Sequence, residues 1–266
     1  MVKQMNNLNV TFSRINKEAK ETLKGNWSIA ILVSLVFSMI YNAPNQIAIN
    51  LNIPIALLFL IHLLTLFIAP IEVGLNRVFL DFSEQKNTNI DRLFYPFKTG
   101  RYARSLGAIL LRSIYIGLLI MLFIIPGIMY LYSTALVPIM LADKKYDKLS
   151  ASQLLKVSKL YMQGYRFKLF LIELRYVWYY GLLLGASSVL IQLDYDLLGY
   201  TLLGVVTLFY TFKTMPLLRE ATIMFYKTVI SVDKVIGETT YQSESLIDYL
   251  EDDPLAESDD DPFFKT

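Results

Sequence analysis

SLGAILLRSIYIGLLIMLFIIPGIMYLYSTALVPIMLA, residues 105–142, is a run of 38 residues with a single charge, Arg112. An α-helix rises about 1.5 Å per residue, so about 20 apolar residues cross the hydrocarbon core of a bilayer. The run is long enough for two crossings. Pro126-Gly127 falls near its middle, where Pro presets φ and Gly tolerates positive φ, so the pair predicts a tight turn. The stretch therefore reads as two antiparallel spans, Ser105–Ile125 and Ile128–Ala142. The second is short for a full crossing, and a kink at Pro138 or local bilayer thinning would accommodate it. The flanks agree with a hairpin. Arg101 and Arg104 precede it, Lys144 and Lys145 follow it, and the turn has no base.

The same pattern extends in both directions. Further spans are expected from Trp27 to Ile49 with a bend at Pro44, and over Ile53–Val73, Phe167–Ile191 and Leu197–Leu218. The connections around Asn42–Asn52, Pro126–Gly127 and Gln192–Asp196 contain no Lys or Arg, and all 25 Lys and Arg can be placed on the opposite side. The positive-inside rule assigns that side to the cytoplasm. The expected fold is all-α: a polytopic membrane bundle of about six spans, with both termini cytoplasmic. Were the fourth span not to cross, Lys227 and Lys234 would move outside, which the same rule disfavours.

Composition supports this class. Hydrophobic residues make up 55%, and charged residues only 18%. Mean hydropathy is +0.44, well above that of ordinary soluble domains. There is no cysteine, which excludes disulfides, thiolate metal sites and a Cys nucleophile together. A single histidine, His62, excludes His-pair zinc motifs. Met1–Lys24 is too polar for a signal-peptide core, so the first apolar segment is expected to remain as a span. The chain divides into residues 1–26 with an amphipathic helix, a membrane domain at 27–237, and an acidic tail at 238–266. That tail holds 10 of the 23 acids and one base, leaving residues 1–237 with a net charge of +11. The body suits an anionic lipid surface, and the tail has the composition of a disordered segment.

Three stretches on the basic side have helical periodicity. Phe12, Ile15, Ala19 and Leu23 form one apolar stripe, expected to lie in the headgroup layer. Leu93, Phe94 and Phe97 interleave with Arg92, Lys98 and Arg101 in the second. The third opens with Ser150 and Gln153 at capping-box spacing, followed by Leu154, Leu155, Tyr161 and Met162.

Ionisable groups within spans are costly and are functional candidates by default. Five are expected in the cytoplasmic half: Glu72, Arg112, Glu173, Arg175 and Lys213. Long bases can snorkel to headgroups and short carboxylates cannot. Glu72 and Glu173 are thus expected to pair with Arg112, Arg175 or Lys213 in a structural layer. Lining a cytoplasm-facing cavity is the alternative. Neither a phosphate-binding glycine loop, a metal-ligand cluster nor a nucleophile elbow occurs in the sequence. No cofactor and no enzymatic activity are expected. A membrane surface accounts for the basic loops without nucleic acid.

Several short motifs, in shared order, resemble a bacterial integral-membrane family catalogued as domain of unknown function nine-seven-five. They are Leu23-Lys24-Gly25-Asn26-Trp27, Ile125-Pro126-Gly127-Ile128, Tyr132-Ser133 with Leu141-Ala142-Asp143, Ser158 through Tyr165 with Lys168-Leu169-Phe170, and Pro216, Ala221 and Phe225-Tyr226. The resemblance spans about Thr11 to Ile230. It implies a distant similarity to the membrane region of some glycerophosphodiester phosphodiesterases, a non-catalytic region, and an origin mainly among Gram-positive bacteria. It brings no substrate or active site. The chain departs from the family pattern at Lys144-Lys145, where members often have Asn-Pro, and at Leu174-Arg175-Tyr176-Val177-Trp178, where they usually read Ser-Phe with a following Trp. Mechanical roles fall to Pro126 and Gly127 at the hairpin, to Gly164 as a hinge before the fifth span, and to Asp143 as a cap or a partner of Lys144.

Together these readings predict a non-enzymatic scaffold, regulator or self-protection protein of the cell envelope. Its expected partners are anionic lipid headgroups on the cytoplasmic side and an unidentified membrane protein. The alternative is a permeation or lipid-handling module.

Overall fold

The computed structural model describes residues 11–50, 54, 57, 65–98 and 100–240, with side chains left undescribed at 45–50 and 232–240. Among the described residues there are only helices and their connections. In chain order these are α1 (Phe12–Leu23), α2 (Trp27–Asn50), α3 (Ile71–Ser83), a 3-10 turn (Ile90–Phe94) with a short helix (Tyr95–Lys98), α4 (Tyr102–Leu122), α5 (Ile124–Ser133), α6 (Val137–Ala142), α7 (Ala151–Tyr161), α8 (Arg166–Gln192), α9 (Asp196–Phe209) and α10 (Met215–Thr240). Five segments are long and apolar enough to cross a membrane: Trp27–Pro44, Tyr102–Leu122, Ile124–Ala142, Arg166–Gln192 and Asp196–Ser231. The chain is an all-α polytopic bundle. Most of the expected second span and His62 lie outside the described residues, as do the tail from 241 onward and its two apolar stretches, Leu246–Leu250 and Phe263–Phe264.

Packing differs between the two ends of the bundle. Tyr226, Phe225, Phe79, Phe82, Ile15 and Leu23 are among the largest fully buried side chains, and all cluster at the end carrying the charged loops. At the opposite end Met121, Leu122, Phe123, Ile125 and Leu197 stand open, with Met121 at 87% and Leu197 at 82% exposure. In water such a surface would associate. In lipid it is solvated, because acyl chains are as apolar as the side chains themselves.

The α4–α5 hairpin differs from its expected form. The chain reverses at Phe123, a single extended residue (φ −151°, ψ 119°), and Pro126 and Gly127 lie in the first turn of α5. Proline fits there because the first turn of a helix leaves its N–H groups unpaired anyway. Gly127 serves close approach instead of positive φ. A Cβ there would meet the Ile120 backbone N at 2.7 Å, so only glycine lets α4 and α5 pack this tightly. The α5–α6 segment breaks at Thr134–Leu136, ahead of the expected kink, and Pro138 sits in the first turn of α6.

Gly164 lies between α7 and α8 with φ +77°, a left-handed conformation that glycine adopts without Cβ strain. Helix α7 opens with the full capping box: Gln153 N–H donates to Ser150 Oγ, and Ser150 N–H donates to the Gln153 side chain. Between α9 and α10 the chain runs through a π-helical turn, Tyr210–Thr214, directly before Pro216. A wider turn there relieves the clash between a proline ring and the preceding turn.

Helix α1 does not spend its apolar stripe on lipid. Ile15, Ala19 and Leu23 are at most 1% exposed, and α1 packs chiefly on α10. Tyr176 on α8 donates to Asn16 Oδ1 at 2.9 Å, which fixes α1 across the charged end. The stripe is narrow enough to be covered by one neighbouring helix, and burial against protein satisfies it as fully as a headgroup layer would.

Candidate functional site

Helices α2, α3 and α10 set the site. Ser38 Oγ of α2 contacts Met215 Sδ of α10 at 3.3 Å. One turn farther along α10, Arg219 Nη1 donates to Glu72 Oε1 of α3 at 3.1 Å. The Arg219 guanidinium also lies 5.8 Å from the Phe37 ring centroid. Lys227 Nζ then donates to the Ser83 carbonyl at 2.8 Å, so α3 and α10 run in the same direction.

Glu173 of α8 accepts from Tyr132 Oη of α5 at 2.9 Å. Arg112 of α4 donates Nε to the Thr134 carbonyl at 3.0 Å and to Thr134 Oγ1 at 3.2 Å. Arg112 lies in electrostatic range of both Glu72 and Glu173, and Arg219 in range of Glu173. Two carboxylates and two guanidiniums thus lie in one region of the bundle, with Glu72–Arg219 the direct ion pair.

The role of Arg112 follows from the broken helix. The last carbonyls of any helix lack intrahelical donors, and in a bundle interior an unpaired one is expensive. Where α5 ends, Ser158 of α7 donates to the Ser133 carbonyl at 3.0 Å and Arg112 takes Thr134. Two side chains from neighbouring helices cap the break.

The expected pairing scheme needs correction. Glu72 pairs with Arg219, a residue the sequence reading placed just past the sixth span, and Glu173 takes a tyrosine hydroxyl. Arg175 is two residues from Glu173, and positions two apart do not share a helix face. Its guanidinium points away, 4.6 Å from the Phe12 ring centroid. Lys213 sits in the π turn with its ammonium 5.2 Å from the Phe209 ring. Of the five candidates, the fold brings Glu72, Arg112 and Glu173 together and leaves Arg175 and Lys213 outside.

A second charged layer lies at the charged end. Arg77, 6% exposed, pairs with Asp81 and Glu84 at 2.5 and 3.4 Å and donates to the Ala142 carbonyl at 3.2 Å. Arg92 reaches Asp81 at 3.6 Å. Arg101 grips Asp147 through both terminal nitrogens, and Arg104 donates to the Tyr146 and Leu149 carbonyls. Tyr226 donates to Asp143 at 2.8 Å, and the other Asp143 oxygen accepts from Lys145 N–H at 3.1 Å, so Asp143 caps the turn after α6. Burial alone would raise the Glu84 carboxyl, but the Lys86 hydrogen bond and the charges of Arg77, Lys86 and Lys227 hold it below its ordinary value. Burial, then the neighbouring Tyr161, push the Tyr146 phenol well above the ordinary range.

Glu220 stands apart. It is fully buried, and neither carboxylate oxygen has a hydrogen-bond partner. Asn76 lies on the α3 stripe between Glu72 and Ser83, both tied to α10, and its Nδ2 is also without a partner.

A family model described as "Protein of unknown function (DUF975)" matches residues 9–152, more than half of the chain, and the chain belongs to that family. The match ends before Ser158–Tyr165 and Pro216–Tyr226, so the resemblance read in those later motifs lies outside it. No curated protein and no solved structure matches.

Proposed function

Within a family whose function is not known, we propose that the chain is a non-enzymatic, multi-pass protein of the cytoplasmic membrane with both termini in the cytoplasm. It acts by interaction, as a scaffold, regulator or self-protection protein for the cell envelope. One observation carries the reading: the charges inside the bundle are used to hold helices together. Glu72 is engaged by Arg219, Arg112 caps the break after α5, and Glu173 accepts from Tyr132. The cytoplasmic end is then a stiff, ion-paired platform that presents Phe97 and Leu160, 43% and 48% exposed, among basic side chains.

A photo-crosslinking residue placed at Phe97 or Leu160 in growing cells tests this. A discrete protein adduct at those positions, absent when the residue is placed at Ile125, supports the reading. Adducts to lipid alone at all three positions overturn it.

A lipid-handling role is the second reading, favoured by the groove beside α1.

A further inference from the structure

Between the start of α1 and one stripe of α8 runs a groove of about 590 Å³, lined by Phe12, Lys168, Leu171, Leu174, Arg175 and Trp178 among others. Lys168, Leu171, Arg175 and Trp178 recur at steps of three and four, so they form a single stripe along α8. Cationic and apolar side chains alternate along the stripe, which ends on Trp178. Trp178 is 55% exposed, and Leu171 and Leu174 are also open.

The two cations have rings and no carboxylate beside them, as Lys213 does, but these two line the groove. Arg77, Arg101 and Arg219 each meet a carboxylate. Among the described residues Lys168 and Arg175 meet only rings: Lys168 Nζ lies 5.2 Å from the Tyr165 centroid, and the Arg175 guanidinium is stacked on Phe12. Two turns separate them, about 10 Å along the axis, a span that two long, snorkelling side chains can close on one anion. A guanidinium held against a ring keeps its outer N–H groups free for a phosphate oxygen.

We propose that this groove is a binding site for one anionic phospholipid of the cytoplasmic leaflet, its phosphodiester held between Lys168 and Arg175 over Leu171 and Leu174 and an acyl chain laid beyond them against Trp178. Charge selects the occupant. A zwitterionic lipid would bring its own cation beside two that are already unpaired. Phe12 closes the groove from α1, so the site spans the joint between the surface helix and the membrane helix. Occupancy would fasten that joint.

The site rests on the proposed sidedness and does not require a protein partner, so its failure leaves the crosslinking result at Phe97 and Leu160 untouched. The chain has two tryptophans, Trp27 and Trp178. The full chain carrying Trp27→Phe is reconstituted in vesicles of phosphatidylcholine containing a few per cent of brominated phosphatidylglycerol or, separately, brominated phosphatidylcholine. Trp178 fluorescence should be quenched several-fold more strongly by the brominated anionic lipid at equal mole fraction. Arg175→Ala and Lys168→Ala should each remove most of that difference, and Arg175→Lys should keep part of it. Equal quenching by both lipids would make the groove ordinary lipid annulus and overturn the proposal, as would a preference that survives Lys168→Ala combined with Arg175→Ala. Should a variant fail to fold, native mass spectrometry of the unmodified chain decides. Retention of one phosphatidylglycerol over phosphatidylcholine by at least fivefold is expected, and no preference would contradict the site.

Discussion

Arg112 donates its Nε to the Thr134 carbonyl at 3.0 Å, closing the open end of α5 from a different helix. The bond turns an intramembrane charge into a helix cap and explains why a span interrupted at Thr134–Leu136 survives in a bundle. Arg112→Leu removes the side-chain donor while the Thr134 carbonyl keeps the Val137 N–H at 3.2 Å, so the cost should be about 1 kcal/mol. Thermal unfolding in mild detergent should show a clear fall in the midpoint, with Arg112→Lys intermediate because the ammonium lacks the planar fork. A midpoint unchanged in Arg112→Leu would mean that the cap is not structural.

The Glu72–Arg219 pair lies between surface and core, each side chain 28% exposed. Breaking it should cost about 1–3 kcal/mol, between the values for exposed and buried pairs. Glu72→Arg and Arg219→Glu are each expected to lower membrane abundance, and the double exchange to restore much of it. Additive losses in a double-mutant cycle would show that the two residues do not couple.

Glu220 is a cost to folding as it stands. Its carboxylate is buried without a hydrogen-bond partner, and desolvation disfavours the charge. Glu220→Gln should leave stability equal or raise it by about 1 kcal/mol. A marked loss of midpoint in Glu220→Gln would require a cationic partner for the carboxylate.

Acid sensitivity should trace to Glu84. Its folded value is held below 4.5, with burial opposed by the Lys86 bond and the charges of Arg77, Lys86 and Lys227. A depressed carboxyl contributes stability that is fully present above its unfolded value and is lost as pH falls through the folded one. The loss of midpoint below about pH 4.5 should therefore be shallower in Glu84→Gln than in the unmodified chain. Parallel acid profiles for the two would exclude Glu84 as the source.

Gly127 has a steric test. A Cβ would fall 2.3 Å from Ile120 Cγ1 and 2.7 Å from its backbone N. Backbone cannot yield as a side chain can, so Gly127→Ala should push α4 and α5 apart and cost about 1–3 kcal/mol. Gly117→Ala on the same hairpin meets nothing within 4 Å and serves as control.

Five of the six expected spans were legible because twenty-residue apolar runs follow from the bilayer, which acts on sequence directly; most of the second lies outside the described residues. The capping box at Ser150 and Gln153 was legible for the same reason: its two bonds depend only on local spacing. Partner choice was not. Glu72 was recognisable as a carboxylate within an expected span, but its cation, Arg219, is 147 positions away, and only the register of α3 on α10 brings them together. The turn at Phe123 was hidden because Pro-Gly fits both a tight turn and the first turn of a helix, and the choice between them rests on contact with Ile120. One missed signal was readable. Arg77 and Asp81 stand four apart within Val78-Phe79-Leu80-Phe82, a spacing that marks a same-face pair inside an apolar helix.

Sidedness underlies the proposed function and the lipid site alike, and the absence of native cysteine makes it directly measurable. Single cysteines at Phe123, Leu193, Lys145 and Lys227 are exposed in intact cells to a membrane-impermeant maleimide, then again after permeabilisation. Labelling of Phe123→Cys and Leu193→Cys in intact cells, with Lys145→Cys and Lys227→Cys reacting only after permeabilisation, is the predicted result. Labelling of Lys145→Cys or Lys227→Cys from outside intact cells would contradict it.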